Sequence, residues 1–327
     1  MTAKFVCPSC RGKLNRSGQP ADYTTAAHYV CEECNESYPL RDDTPVLIYP
    51  KPNMQQLEVM YSGGSAERRH SLLKRAFDLF AYRIKTSGWI IAVRMVPTYI
   101  WVKSYNKLIV LFSSLLRERK VECSCCGWEG IKFGTFWSAT RNIKNFACPS
   151  CGSHPRHRFL SKYIPELIDI NSPDILHFAP EEFLDSVFKQ GDGNDHRTTT
   201  DITLPGVSCL SNINFLPFEE NSFDNIICIH VLEHIEDDAK AMSELYRVLK
   251  TSGTAVICIP ETNQERTIEF GFEDPTKSHH WRDYGLDVKE RLADAGFQVS
   301  TVTPKSLGGN TQLYGMAEDE RFHLCVK

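Results

Sequence analysis

The chain has 327 residues, of which 24% are charged and 42% hydrophobic. That balance suits a globular protein of two or three domains and excludes a wholly disordered chain, a collagen and a coiled coil. Net charge is −4, yet 51–120 alone holds 13 Lys+Arg against 4 Asp+Glu, a basic stretch on an acidic protein that suggests a local anionic partner and no strong nucleic-acid signal.

Four regions follow one another: 1–50, 51–120, 121–155 and 156–327. The chain starts MTAKFVCPSC, without the apolar stretch of a secretory signal, so its 13 cysteines read as metal ligands and buried thiols of a reducing, cytoplasmic compartment. Residues 1–50 contain Cys7-Pro8-Ser9-Cys10 and Cys31-Glu32-Glu33-Cys34. Residues 121–155 contain Cys123-Ser124-Cys125-Cys126 and Cys148-Pro149-Ser150-Cys151. Paired CxxC turns present four thiolates tetrahedrally, which is what a closed structural Zn²⁺ site requires. Two such sites are expected, with ligands Cys7, Cys10, Cys31 and Cys34 in the first and Cys123, Cys126, Cys148 and Cys151 in the second. A module this small and loop-rich needs metal binding to fold. Cys125 reads as a bystander, and Cys209, Cys228, Cys258 and Cys325 as buried thiols beside apolar strands.

Between the cysteine regions, 86–116 mixes Trp89, Tyr99, Trp101 and many aliphatic residues with Lys85, Arg94, Lys103, Lys107 and Arg117. Arg94 and Pro97 interrupt the best apolar run, which falls short of the ~20 residues that span a bilayer. One reading is peripheral contact with an anionic membrane at its inner face. The other, which is favoured, is a pair of helices packed on the catalytic domain or on another subunit.

The last region alternates strands and helices. The expected elements are a helix at 159–170, a strand at 174–178, a helix at 181–190, strands at 197–201 and 222–230, a helix at 237–249, a strand at 254–260, a helix at 286–295 closed by Gly296, and strands at 297–302 and 322–326. This is the pattern of a mostly parallel sheet with right-handed crossovers.

The run LPF…NSFD…HVLEHI…ELYRVLK, from Leu216 to Lys250, resembles class I S-adenosylmethionine-dependent methyltransferases over roughly 157–327. A closer resemblance is to a bacterial subgroup with a cysteine ribbon ahead of the domain, Arg156-His157-Arg158 at a helix start, an HFAPE strand end, and a late His280-x-Arg282-x-Tyr284. Residues 5–48, with FVCPSC and YP-x-x-D-x-x-PVL, resemble the small zinc-binding activators that partner methyltransferases. The resemblance implies an α/β fold: a Rossmann-like sandwich with a mostly parallel seven-stranded sheet, preceded by two zinc ribbons and a helical connector.

It also implies S-adenosylmethionine as cofactor, held by His177, Ala179, Glu181, Asp201, Asn212, Leu216 and His230. Asp201 would take the ribose hydroxyls, Asn212 and Leu216 the adenine, and Glu181 the amino group. The loop after the first strand lacks the glycines of the family, and Pro180 removes one donor. His230, His234 and His280 are the candidate bases, and Arg282 would suit a carboxylate or phosphate on the substrate. The expected reaction is in-line methyl transfer to a small-molecule, sugar or glycan-precursor acceptor. The rival is a degenerate fold that uses its ribbons to recruit a partner. RNA methylation ranks lower, because the catalytic half is acidic and has no aromatic-basic RNA motif.

Overall fold

The computed structural model describes residues 5–17, 28–41, 43–50, 89–116, 119–137, 142–189 and 197–327. The first half of the connector, 51–88, with Lys85, lies outside the described residues, as do Arg117 and the side chains of 89–96.

The first ribbon forms β1 (Leu14–Ser17), β2 (His28–Cys31), β3 (Ser37–Arg41) and β4 (Thr44–Leu47). Helix α1 (Trp89–Leu116) runs unbroken through Pro97, a single helix where the sequence suggested a pair. The second ribbon forms β5 (Val121–Glu122), β6 (Glu129–Gly130), β7 (Gly134–Trp137) and β8 (Asn142–Ala147). Then come α2 (Pro155–Leu167), β9 (Ile175–Phe178), α3 (Asp185–Phe188), β10 (Arg197–Asp201), β11 (Cys209–Ser211) and β12 (Phe223–Ile229). The chain ends with α4 (Asp238–Val248), β13 (Leu249–Cys258), β14 (Ile268–Asp274), β15 (His280–Asp283), α5 (Val288–Asp294), β16 (Gln298–Val302), α6 (Thr311–Tyr314) and β17 (Phe322–Val326).

Eleven strands make one sheet, in the order β1-β2-β3-β4-β11-β10-β9-β12-β13-β17-β16. Seven come from 156–327, and β17 runs antiparallel to both neighbours. The other four come from the first ribbon, which extends the sheet beyond the seven strands expected. The junction is a parallel pairing of β4 with β11, Val46 opposite Leu210 and Leu47 opposite Ser211. Pairing satisfies an edge that would otherwise expose unpaired backbone groups.

Period-two alternation sends side chains to the two faces of the sheet. Leu176, Phe178, Ile226, Cys228, Ala255 and Ile257 face Ala241, Leu245 and Val248 of α4 and Val288 and Leu292 of α5. Ile175, Ile227, Ile229, Val256 and Cys258 face Phe159, Leu160 and Ile164 of α2 and Val187 and Phe188 of α3. Asp237 caps α4 by accepting from the Lys240 N–H at 3.0 Å, and Gly296, at φ +111, follows the end of α5.

Two elements depart from the sequence reading. The helix expected over 181–190 is a 3₁₀ turn, Glu182–Leu184, followed by the one-turn α3. Residues 268–283, given no element in the sequence reading, form the β14–β15 hairpin.

Candidate functional site

Both cysteine quartets assemble. In each, the four sulfurs lie within 4.8 Å of one another. Sγ–Sγ separations are 3.7 Å for Cys7–Cys34 and 3.4 Å for Cys10–Cys31. They are 3.7 Å for Cys123–Cys151 and 3.8 Å for Cys126–Cys148. A tetrahedron with Zn–S near 2.3 Å has edges of about 3.8 Å, so the donor sets fit Zn²⁺. Burial alone would raise the Cys7 thiol, but the Tyr38 hydroxyl at 3.3 Å and backbone N–H groups bring it down to about 7.

The first ribbon is latched to the large domain. The Val6 N–H donates to Pro217 O at 2.9 Å, and Phe5 packs on Phe218. Arg11 donates to Leu216 O and lies 2.8 Å from Glu244 Oε2. Glu244 also holds Arg247 and accepts from the Leu216 N–H at 2.9 Å. Burial would raise the Glu244 carboxyl, yet its bonds to Arg247 and Arg11 hold it below its ordinary value.

The second ribbon is held by Arg158. Its guanidinium is fully buried, stacks 3.9 Å from the centre of the Phe133 ring, and donates to Ser153 O, Phe146 O, Tyr314 O and Gly315 O. Five donors in a fixed fork suit a cluster of carbonyls. On the ribbon's other flank, α1 buries Val102, Ile109 and Ser113. Asn106 exchanges two hydrogen bonds with the Thr135 backbone, at 3.0 and 3.1 Å. The opposite face of α1 exposes Trp101, Leu108, Leu111, Phe112, Leu115 and Leu116, Trp101 at 61% and Leu115 at 67%. Among the described residues no helix is long and apolar enough to cross a membrane.

Open α/β sheets bind ligands at the carboxyl ends of their central strands. The adjacent strands β9 and β12 both leave the sheet through a left-handed residue that is not glycine, Ala179 at φ +45 and His230 at φ +55. Such a conformation costs an L-residue about 1–2 kcal/mol. Ala179 therefore keeps a backbone path that glycine adopts freely, with its N–H bonded to Thr200 O at 2.9 Å.

Beyond it stands Glu181. The His154 N–H donates to His157 Nδ1 at 3.1 Å, which leaves the proton of a neutral imidazole on Nε2, 2.9 Å from Glu181 Oε1. Burial would raise the Glu181 carboxyl, but His157 and Arg156 keep it below its ordinary value. Its Oε2 is buried with no hydrogen-bond partner among the described residues. That suits a cation, and S-adenosylmethionine carries an ammonium and a sulfonium.

At the ends of β12 and β13 lies a cavity of about 290 Å³, whose lining includes Phe146, His154, Arg156, His230, Glu261 and Glu320. The second ribbon thus reaches the cavity through Phe146. Burial pushes His154 down to about 3 and raises Glu320. Glu320 escaped the sequence reading because no motif surrounds it; only the fold brings it beside His230.

Several of the expected cofactor residues make other contacts. His177 is fully buried against Arg197 and Phe188, because alternation along β9 turns it, with Ile175, onto the face that α2 and α3 cover. Asp201 Oδ1 accepts from the N–H groups of Thr203 and Leu204, at 2.6 and 2.7 Å, and caps its own turn. Asn212 Oδ1 accepts from the Asn214 N–H, and its amide donates to Tyr49 O of the first ribbon at 3.1 Å. Leu216 is fully buried in the core and cannot flank an adenine.

The late motif also differs. Arg282 is buried against Ile235 O, Glu236 O and Glu269, not turned toward a substrate. Tyr284 bonds Asp238 at 2.6 Å. His230, His234 and His280 do come together, around Glu233.

Residues 193–257 match the family model of a methyltransferase domain. An uncharacterized protein of Methanocaldococcus jannaschii is 43% identical over 89 residues, 27% of this chain and 36% of its own length. A probable S-adenosylmethionine-dependent methyltransferase of Mycolicibacterium smegmatis is 32% identical over 89 residues, 27% of this chain and 34% of its own. The chain thus spans about a third of the length of these relatives. The likeness to methyltransferases is thus one of this segment. One solved structure, a complex of the Haloferax volcanii Trm112 methyltransferase activator with a methyltransferase, is similar at 14% identity with a TM-score of 0.37. It covers 52% of this chain and 90% of its own. A methyltransferase from Archaeoglobus fulgidus is similar at 16% identity and a TM-score of 0.37, covering 53% of this chain and 93% of its own.

Proposed function

We propose that the protein is an S-adenosylmethionine-dependent methyltransferase with two structural Zn²⁺ ions and a built-in activator-like ribbon. It would act on a small-molecule, sugar or glycan-precursor acceptor. The observation that carries the reading is Glu181: a buried carboxylate with an unpartnered oxygen, beside the ends of the central strands, in a chain whose 193–257 segment is methyltransferase-like. Bound there, the cofactor supplies an already activated methyl group. Glu181 and the Ala179–Pro180 backbone orient it, and Phe146 and Ile259 help keep the neighbouring cavity dry. An acceptor hydroxyl held in the cavity would have to give up its proton to be methylated. His230, on the cavity wall, takes that proton, with Glu320 beside it. His234 and His280 stand behind it rather than on the wall.

In this reading the first ribbon is a partner carried in the same chain, supported by its strand added at β11 and its Arg11 latch. The compartment is cytoplasmic. The exposed stripe of α1 is the surface for peripheral contact with a membrane or a further protein, supported by its six exposed apolar side chains.

The test is calorimetric titration of zinc-loaded full-length chain with S-adenosylmethionine and S-adenosylhomocysteine. Glu181→Gln is a better control than an Asp201 variant, because Asp201 holds its own turn. Micromolar binding weakened roughly tenfold by Glu181→Gln, about 1.4 kcal/mol, is expected. Folded wild-type protein that binds neither ligand would replace this reading with the scaffold, in which Ala179 and Pro180 close the pocket.

A further inference from the structure

After β12 the chain turns through Leu232–His234 and meets the β14–β15 hairpin. The turn buries Glu233, 1% exposed, and neither of its carboxylate oxygens has a hydrogen-bond partner among the described residues. An ionised carboxylate in that state demands a cation. Three imidazoles surround it. His230 Nδ1 lies 3.2 Å and His234 Nε2 3.9 Å from Glu233 Oε1. One donor atom from each of Glu233, His234 and His280 lies within 4.8 Å of the others.

The tautomer of His234 sharpens the problem. Its Nδ1 lies 3.2 Å from the His279 carbonyl oxygen, which can only accept, so Nδ1 carries the proton. A neutral ring then turns the lone pair of Nε2 toward the carboxylate. A lone pair and a buried carboxylate facing one another repel unless a cation stands between them. Neither Glu233 oxygen is hydrogen-bonded to these rings among the described residues, yet the donor atoms are close enough to share one ion.

We propose that Glu233, His234 and His280 bind a divalent first-row transition ion, at a site separate from the thiolate quartets. Two imidazoles and one carboxylate select Mn²⁺, Fe²⁺, Co²⁺ or Zn²⁺ over Mg²⁺ and Ca²⁺, which prefer oxygen donors throughout. Bonds of about 2.0–2.2 Å to nitrogen and oxygen are reached by side-chain rotation, since His234 sits on a turn and His280 on an edge hairpin. His230 orients the carboxylate from behind. The ion ties the hairpin to the end of β12, next to the cavity that His230 lines. The inference stands apart from the proposed activity, because it is read without cofactor or acceptor.

The probe is Mn²⁺, titrated into full-length chain whose quartets are already loaded with zinc. Electron paramagnetic resonance reads the free aquo ion. Wild type is expected to take up a single Mn²⁺ per chain, displaced by added Zn²⁺ and not by equal Mg²⁺. Glu233→Gln and His280→Asn are each expected to weaken uptake more than roughly tenfold, with the zinc content of the quartets unchanged. Free Mn²⁺ throughout the wild-type titration overturns the proposal, as does wild-type uptake by His280→Asn. The hairpin variant decides the matter if Glu233→Gln does not fold.

Discussion

The two ribbons share a metal knuckle and differ in everything attached to it. In each CxxC turn the residue after the second cysteine donates its N–H to the carbonyl of the first: Arg11 to Cys7, Asn35 to Cys31, Gly127 to Cys123 and Gly152 to Cys148. All four are left-handed, at φ 68, 58, 68 and 84. The second ribbon fills this position with glycine, which adopts it freely. The first fills it with side chains, and Arg11 uses its place to reach Leu216 and Glu244. The first ribbon therefore ends as sheet edge and latch. The second, clamped by Arg158, ends as a wall of the cavity. The lesson is that the metal sets the knuckle and the flanking side chains set its task.

Cysteine replacement should break the comparison most visibly. A structural zinc contributes on the order of 10 kcal/mol to folding its module. Cys148→Ser is expected to lose the second ribbon's zinc and to lower acceptor methylation more than roughly a hundredfold, or about 2.7 kcal/mol, with cofactor affinity retained. Cys31→Ser is expected to lose the first ribbon's zinc and expose the β11 edge, so that unfolding and aggregation come before any loss specific to the acceptor. Metal analysis with separate cofactor-binding and turnover assays tells them apart, and identical profiles would erase the distinction.

The latch gives a smaller effect with a defined pH dependence. Glu244→Gln should cost about 2–3 kcal/mol, the range of a hydrogen bond to a charged group left unmade. The Glu244 carboxyl is held below its ordinary 4.5 by Arg247 and Arg11, against the opposing effect of burial. A depressed carboxyl binds fewer protons folded than unfolded, so its contribution is complete above about 4.5 and fades as pH falls through the lower folded value. Denaturant melts at pH 7 and pH 4 should show that increment shrinking in wild type and missing in Glu244→Gln.

The smallest effects test the knuckles themselves. A Cβ at Gly152 meets nothing within 4 Å, so Gly152→Ala should cost only the backbone term, about 1 kcal/mol. Asn35→Gly should change stability by no more than about half that, because asparagine tolerates the left-handed region. Thermal melts of the two variants measure both.

Legibility followed how local each cause is. The CxxC pairs could be read because ligand chemistry and spacing lie within short segments, and the sulfurs meet as a four-thiolate site requires. The strands at 197–201 and 322–326 could be read from their composition. The cofactor residues were read less well, since position in the chain order does not say where a side chain points. His177 shares a strand with Phe178 but faces the other buried side of the sheet, Asp201 turns Oδ1 onto its own loop, and Asn212 divides its polar atoms between its own loop and Tyr49 of the first ribbon. Arg282 looked like a substrate ligand because an arginine near histidines has that chemistry; its partners Glu236 and Glu269 lie far off in sequence.

By itself the sequence determined the two thiolate quartets, the alternation of strands and helices after 156, and the methyltransferase-like run around Leu216–Lys250, because each depends on residue type at short, fixed spacing. Only the tertiary structure decided that β4 joins β11, that α1 is one helix lying on the second ribbon, and that Glu233 is buried among three histidines beside a cavity holding Glu320. Those outcomes depend on long-range pairing and on which face each side chain takes, and a one-residue change of register reverses that face.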